Sequence, residues 1–159
     1  MKRRTKVSLT LLTVALGFGL IARFVVTPFV VFGESMEPTL LPWDLCLMQR
    51  VRNYEPRRGE IVMFRTADDP PLYFVKRVIG LPGETVSIAR GVTIIDNKEL
   101  PEPYVEPNPM WDMEPITVPE GKVFVLGDNR DVSLAETLHG PVARRLVLGR
   151  LVWHWRWKK

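Results

Sequence analysis

A chain of 159 residues, with 22 Lys and Arg against 18 Asp and Glu, has length for one compact domain but not for two of ordinary size. The single cysteine, Cys46, excludes an internal disulfide and a cysteine-rich metal site. His139 and His154 stand far apart with no companion at metal-ligand spacing, so neither metal nor cofactor is expected. The net charge of +4 is concentrated at the ends, in MKRRTK and RWKK, a pattern that suits anionic lipid better than nucleic acid.

Residues 1–6 form a basic tail, and residues 7–26, VSLTLLTVALGFGLIARFVV, carry one charge, Arg23. As a helix of about 1.5 Å rise per residue this run reaches about 30 Å, enough for one crossing of a hydrocarbon core. Arg23 lies near the far end, where its side chain reaches the headgroups, and Thr27-Pro28 ends the helix. The cluster Lys2, Arg3, Arg4 and Lys6 stays in the cytoplasm, so residues 27–159 lie outside a plasma membrane crossed once. A cleaved secretory signal shares the basic start, and Gly17-Phe18-Gly19 imitates its small-residue site. The apolar run, however, continues through Val26, past any such cut.

The chain leaves this run through GESMEPTL, which sets Ser35 between a flexible Gly33-Glu34 and a stiff Pro38. Beyond it, proline and glycine punctuate the sequence. Between them lie short runs rich in Val, Ile, Phe and Trp: EIVMF, LYFVKRVI, TVSIA, VTII, KVFVLG and RLVLGRLVWHW. None keeps a helical period, which predicts a mostly antiparallel β domain behind one N-terminal transmembrane helix. Cys46, in LCLM, reads as a core residue. The stretch ELPEPYVEPNPMWDMEPITVPE is proline-rich enough to read as a long, partly mobile, exposed excursion. In LVWHWRWKK, alternation sets Trp153, Trp155 and Trp157 on one face beside Arg156, Lys158 and Lys159. Such a face serves either a lipid interface or the domain's own core.

A serine that transfers acyl groups needs a base and donors for the oxyanion. Neither histidine stands in a triad context. A lysine replaces it when burial and nearby positive potential bring its pKa from about 10.4 toward neutrality. Lys76 follows LYFV, and period two points it to the face of Phe74 and Val78; there it is either a solvent-facing lysine or a desolvated functional one.

GESMEPTL, RRGEIVMF, VKRVIGLPGE and GDNRDVSLAETLHGPV occur in order and at the spacing of the boxes of the type I signal peptidases, which the sequence resembles over nearly its whole length. The resemblance implies a membrane-anchored serine endopeptidase that removes signal peptides from exported preproteins after small residues, of Ala-x-Ala type. Ser35 matches the nucleophile, Lys76 the general base, and Ser133 a serine that orients the lysine ammonium. Asp128, Asn129 and Arg130 match a turn supporting the site. Phe29, Val31, Met36, Leu40, Phe74 and Val75 match the walls of two shallow pockets, which exclude large side chains by crowding. Gly33 takes a position where some relatives carry a Ser or Thr whose hydroxyl faces the oxyanion, leaving backbone or water for that task. Ala135 and Thr137 stand where relatives carry an Asp and an Arg in a supporting ion pair. The rival reading is a specialised or catalytically impaired membrane-tethered relative that binds or processes a narrow set of extended peptides.

Overall fold

The computed structural model describes residues 25–105, 108, 110–134 and 138–156. Among the described residues eleven strands, all paired antiparallel, form two sheets. The first runs β1 (Val26–Val30), β2 (Leu45–Arg50), β11 (Val147–Trp155), β3 (Ile61–Arg65), β4 (Tyr73–Gly80), β9 (Lys122–Leu126) and β10 (Leu138–Ala143). The second runs β7 (Lys98–Glu99), β6 (Val92–Ile95), β5 (Thr85–Ala89) and β8 (Met113–Thr117). The six apolar runs of the sequence became β3, β4, β5, β6, β9 and β11, because β-branched residues at period two fill a pleated, half-buried surface.

The proline-rich excursion differs from the expectation. Its end is β8, an edge strand in which Pro115 is tolerated because an outer strand leaves backbone groups unpaired on one side. Its Trp111 is buried in the core. The apolar span 7–26 lies outside the described residues except for Val25 and Val26, and Val26 already opens β1. Among the described residues no helix is long and apolar enough to cross a membrane.

Three apolar clusters hold the strands. Val62, Phe64, Val78, Val123 and Val125 fill the centre of the large sheet. Ile79, Phe124 and Leu126 meet Val86, Ile88, Ile95, Trp111 and Val118, which joins the small sheet to it. At about 1.5–3 kcal/mol for each such side chain fully buried, this second cluster is the main apolar joint between the sheets. Gly80 makes the joint possible: a Cβ there would lie 2.5 Å from Val86 Cγ2 and 3.0 Å from Phe124 Cβ and Val118 Cγ2. The third cluster, Val31, Met36, Leu40 and Cys46, lies under the turn that follows β1. Cys46 is fully buried, as expected, and burial pushes its thiol up to about 11, with Asp44 adding to the rise.

Candidate active site

Strand β1 leads directly into the turn bearing Ser35. Val31 N–H donates to Asp44 O at 3.1 Å and Trp43 N–H to Val31 O at 2.9 Å, so the ends of the loop between them are pinned together. Inside it, Glu37 N–H donates to Glu34 O at 3.0 Å and Leu40 N–H to Met36 O at 2.8 Å. Met36 and Leu40 point down into the third cluster, which leaves Ser35 half-buried at the rim.

Gly33 has φ +86°, and nothing lies within 4 Å of a Cβ built there. The left-handed backbone, not lack of room, therefore favours glycine. Gly33→Ser should lower stability by about 1–2 kcal/mol through that backbone alone. Chemical denaturation measures it; an unchanged midpoint and slope would show that the turn relaxes without cost.

Lys76 comes from β4, opposite Val62 on β3. It is among the largest fully buried side chains, 1 % exposed, on the face of Phe74 and Val78. Burial lowers its pKa from 10.5 to about 8, while the Asp128 carboxylate opposes the fall. A neutral amine is thus within reach near physiological pH, as a general base requires.

Arg77 faces the other way and is also buried. Its Nε and Nη2 donate to the two oxygens of Asp128 at 2.9 and 2.5 Å, Nη1 donates to Gly59 O at 2.8 Å, and its guanidinium lies 3.8 Å above the Tyr104 ring. The next residue in the loop, Asn129, grips the turn bearing Ser35. Its N–H donates to Ser35 O at 3.1 Å and its Nδ2 to Glu34 O at 3.0 Å. Two consecutive residues, Asp128 and Asn129, therefore tie the strand bearing Lys76 to the turn bearing Ser35. Arg130 follows, 2 % exposed, with Nη2 donating to Glu102 at 2.8 Å and Nε to Gly127 O at 3.2 Å.

A cavity of about 320 Å³ opens beside Ser35. Phe29, Val31, Gly33, Met36, Phe74 and Val75 line it together with Val30, Phe32, Met63 and Tyr73. Leu40 does not reach this wall; it is fully buried beneath. Ser133 is exposed, and no hydrogen bond among the described residues joins Lys76 to Ser35 or to Ser133. Residues 135–137, which include Ala135 and Thr137, lie outside the described residues.

The sequence reading passed over Arg77, Glu102, Tyr104 and Trp111. Arg77 carried a signal: two adjacent cations in an apolar strand point to opposite faces, and burying the second demands a carboxylate. Glu102 and Tyr104 were masked by the prolines around them.

The sequence profile of the family described as signal peptidase, peptidase S26 matches residues 3–157. The chain is 36% identical over 152 residues to a probable signal peptidase I-2 of Synechocystis sp., spanning 91% of this chain and 68% of that one. It is 37% identical over 150 residues to signal peptidase I of Leptolyngbya laminosa, spanning 89% and 73%. Against signal peptidase I of Bacillus licheniformis it is 38% identical over 127 residues, spanning 72% and 68%.

Proposed function

The chain belongs to the signal peptidase family, peptidase S26, and from that membership we propose that it is a membrane-anchored serine endopeptidase, with Ser35 as nucleophile and Lys76 as general base, that removes signal peptides from exported preproteins. The observation that carries this reading is Lys76: a lysine buried to 1 % exposure, its pKa brought to about 8, on the strand tied by Asp128 and Asn129 to the turn of Ser35.

In the first half-reaction the neutral Lys76 amine takes the Ser35 hydroxyl proton while Oγ attacks the scissile carbonyl carbon. The Ser35 backbone N–H holds the oxyanion, and Gly33 leaves space beside it. The intermediate collapses as the Lys76 ammonium returns the proton to the leaving nitrogen. The mature protein departs with a free amine, leaving the signal peptide esterified to Ser35. In the second half-reaction Lys76 takes a proton from water, whose oxygen attacks the ester. The signal peptide leaves as its carboxylic acid and Ser35 regains its hydrogen. Ser133 orients the ammonium, which requires its hydroxyl to come within reach of Lys76 when substrate closes the site.

The apolar cavity sets the preference for small side chains before the cut. Phe74 and Val75 on β4 and Met36 in the turn after β1 pack against apolar clusters and cannot withdraw without opening the core. A panel of preproteins cleaved in detergent, with the cut mapped by mass spectrometry, tests the reading. Cleavage after Ala-x-Ala supports it; intact preproteins, or cuts after large residues, defeat it.

In this reading the apolar run that begins at residue 7 and ends before β1 is the anchor, with the N-terminus cytoplasmic and the β domain outside. A surface feature fits this placement. Across β1, β2 and β11, the register aligns Val30 with Leu45 and Trp155, and Pro28 with Leu47 and Trp153. Trp153 and Trp155 are exposed with ring centroids 6.2 Å apart, and Phe32 and Trp43, also exposed, meet edge to face at 5.2 Å. The tryptophans of the tail that the structure describes are therefore not core residues. Anionic vesicles should shift the tryptophan emission of the anchor-free domain, provided it folds, to the blue. No shift with folded protein would remove this face from the lipid surface.

A further inference from the structure

Glu102 and Tyr104 lie two residues apart in the proline-rich segment, and each braces a different half of the site. Glu102 accepts from Arg130 Nη2 at 2.8 Å and from the Tyr104 hydroxyl at 3.1 Å. The Arg130 and Glu102 side chains are 1 % and 6 % exposed. Arg130 is held further by Gly127 O, by Thr93 Oγ1 at 3.4 Å, and by the Trp111 ring 5.4 Å away. Its own carbonyl accepts from Asn108 Nδ2 at 2.7 Å, and Val132 O accepts from Trp111 Nε1 at 3.1 Å. The loop that grips Ser35 through Asn129 is thus clamped from the side of the small sheet. Tyr104 acts on the other half, its ring lying 3.8 Å under Arg77, the neighbour of Lys76.

A buried ion pair is a poor source of net stability, since desolvation of both charges offsets most of their attraction. Held on every side by further donors and acceptors, it is instead a rigid fixture. Rigidity has a use here. A lysine and a serine on separate elements work as a pair only while their separation stays fixed, and a displacement of about 1 Å costs on the order of 100-fold in rate. Glu102 and Arg130 form such an ion pair on the flank of this loop that faces the small sheet.

We propose that Glu102 and Tyr104 are positioning residues that fix the Ser35 turn and the Lys76 strand at their working separation, Glu102 through Arg130 and Asn129, and Tyr104 through Arg77. This rests on the peptidase reading and adds to it the element that holds its two catalytic groups in register.

The test uses the full chain in detergent, with kcat and KM measured on a peptide bearing Ala-x-Ala before the cut. Glu102→Ala and Tyr104→Leu should lower kcat on the order of 10- to 100-fold while KM stays within about threefold, because placement of the reacting groups is lost and the cavity is not. Tyr104→Phe keeps the ring under Arg77 and should stay within about threefold of the parent chain. Glu102→Gln keeps a neutral acceptor of the same shape and should fall between. Amide hydrogen exchange is the second readout: in Glu102→Ala the Asn129 amide should exchange at least about tenfold faster while β9 amides keep their protection. Unchanged kcat in folded Glu102→Ala overturns the proposal. So does exchange that rises equally in β9, which would mark a general loss of stability. A parent chain that cleaves no peptide defeats the peptidase reading, whereas unchanged Asn129 exchange in Glu102→Ala defeats the brace whatever the cleavage result.

Discussion

Ser35→Ala and Lys76→Ala should each lower preprotein cleavage by about 1,000-fold or more, and the double variant should fall no further, because in the proposed mechanism the two residues act as one unit. The two substitutions should part company in stability. Lys76 is 1 % exposed and its pKa lies at about 8 in the fold, against 10.5 for the ordinary side chain. A base whose pKa is lowered by folding destabilises the fold wherever it is protonated in both states, here below about pH 8. The penalty is relieved as pH rises from about 8 to 10.5, where the folded chain holds the amine neutral and the unfolded chain still protonates it. At about 1.36 kcal/mol per pKa unit the full penalty is about 3 kcal/mol. Lys76→Met, a shape that suits the same apolar surroundings, should therefore be inactive yet more stable than the parent at pH 7, with the gain fading above about pH 10. Denaturation at pH 7 and pH 10 measures it. A Lys76→Met chain less stable at pH 7 would mean that the ammonium is satisfied in the fold and not poised as a base. His139→Ala with His154→Ala should still cleave. His139 packs 4.1 Å from Phe74 and 5.5 Å from Phe64, ring to ring, so that double variant loses stability before it loses chemistry.

Asp128→Ala should be the most damaging change outside the pair. The Arg77 side chain is 10 % exposed and its Nε and Nη2 both end on Asp128. Removing that carboxylate leaves a buried cation with Gly59 O, Thr39 and the Tyr104 ring, at a cost of about 3–5 kcal/mol. Asp128→Asn should cost less, since an amide oxygen still accepts one hydrogen bond. Its pH profile carries the sharper prediction. Asp128 raises the pKa of Lys76 against the fall caused by burial. Without its charge the lysine should lose its proton more easily, and the half-maximal pH of the remaining activity should move below about 8. A move to higher pH would show that the dominant effect of Asp128 on Lys76 is exerted through packing.

The β character of the domain was legible because its strands alternate. EIVMF, LYFVKRVI and KVFVLG carry β-branched residues between glycine and proline, and became β3, β4 and β9. Three of the five strands not foreseen fail that test for distinct reasons. β1 continues an apolar run, so period alone cannot separate it from the end of a helix. β8 contains Pro115 and β10 contains Gly140 and Pro141, residues that read as breaks and are admitted here on strands that end their sheets. The candidate site was legible one residue at a time through its resemblance to a family. What joins those residues was not. The Arg77 to Asp128 pair spans 51 positions, and the Asn129 to Glu34 bond spans 95. Charge partners at that separation leave no periodic trace. Glu102 and Tyr104 sat in a stretch whose prolines suggested mobility, whereas a turn in which Val105 N–H donates to Glu102 O at 3.2 Å holds them, Glu102 against Arg130 and Tyr104 against Arg77.

The pH dependence of kcat/KM on an Ala-x-Ala peptide, between about pH 6 and 10, tests the central claim most directly. A single rise with its midpoint near the lowered pKa of Lys76, about 8, retained in the chain lacking both histidines and absent in Lys76→Ala, is the expected result. A rate that stays flat from about pH 6 to 9, or a midpoint near 6.5 that disappears with His139, would contradict it.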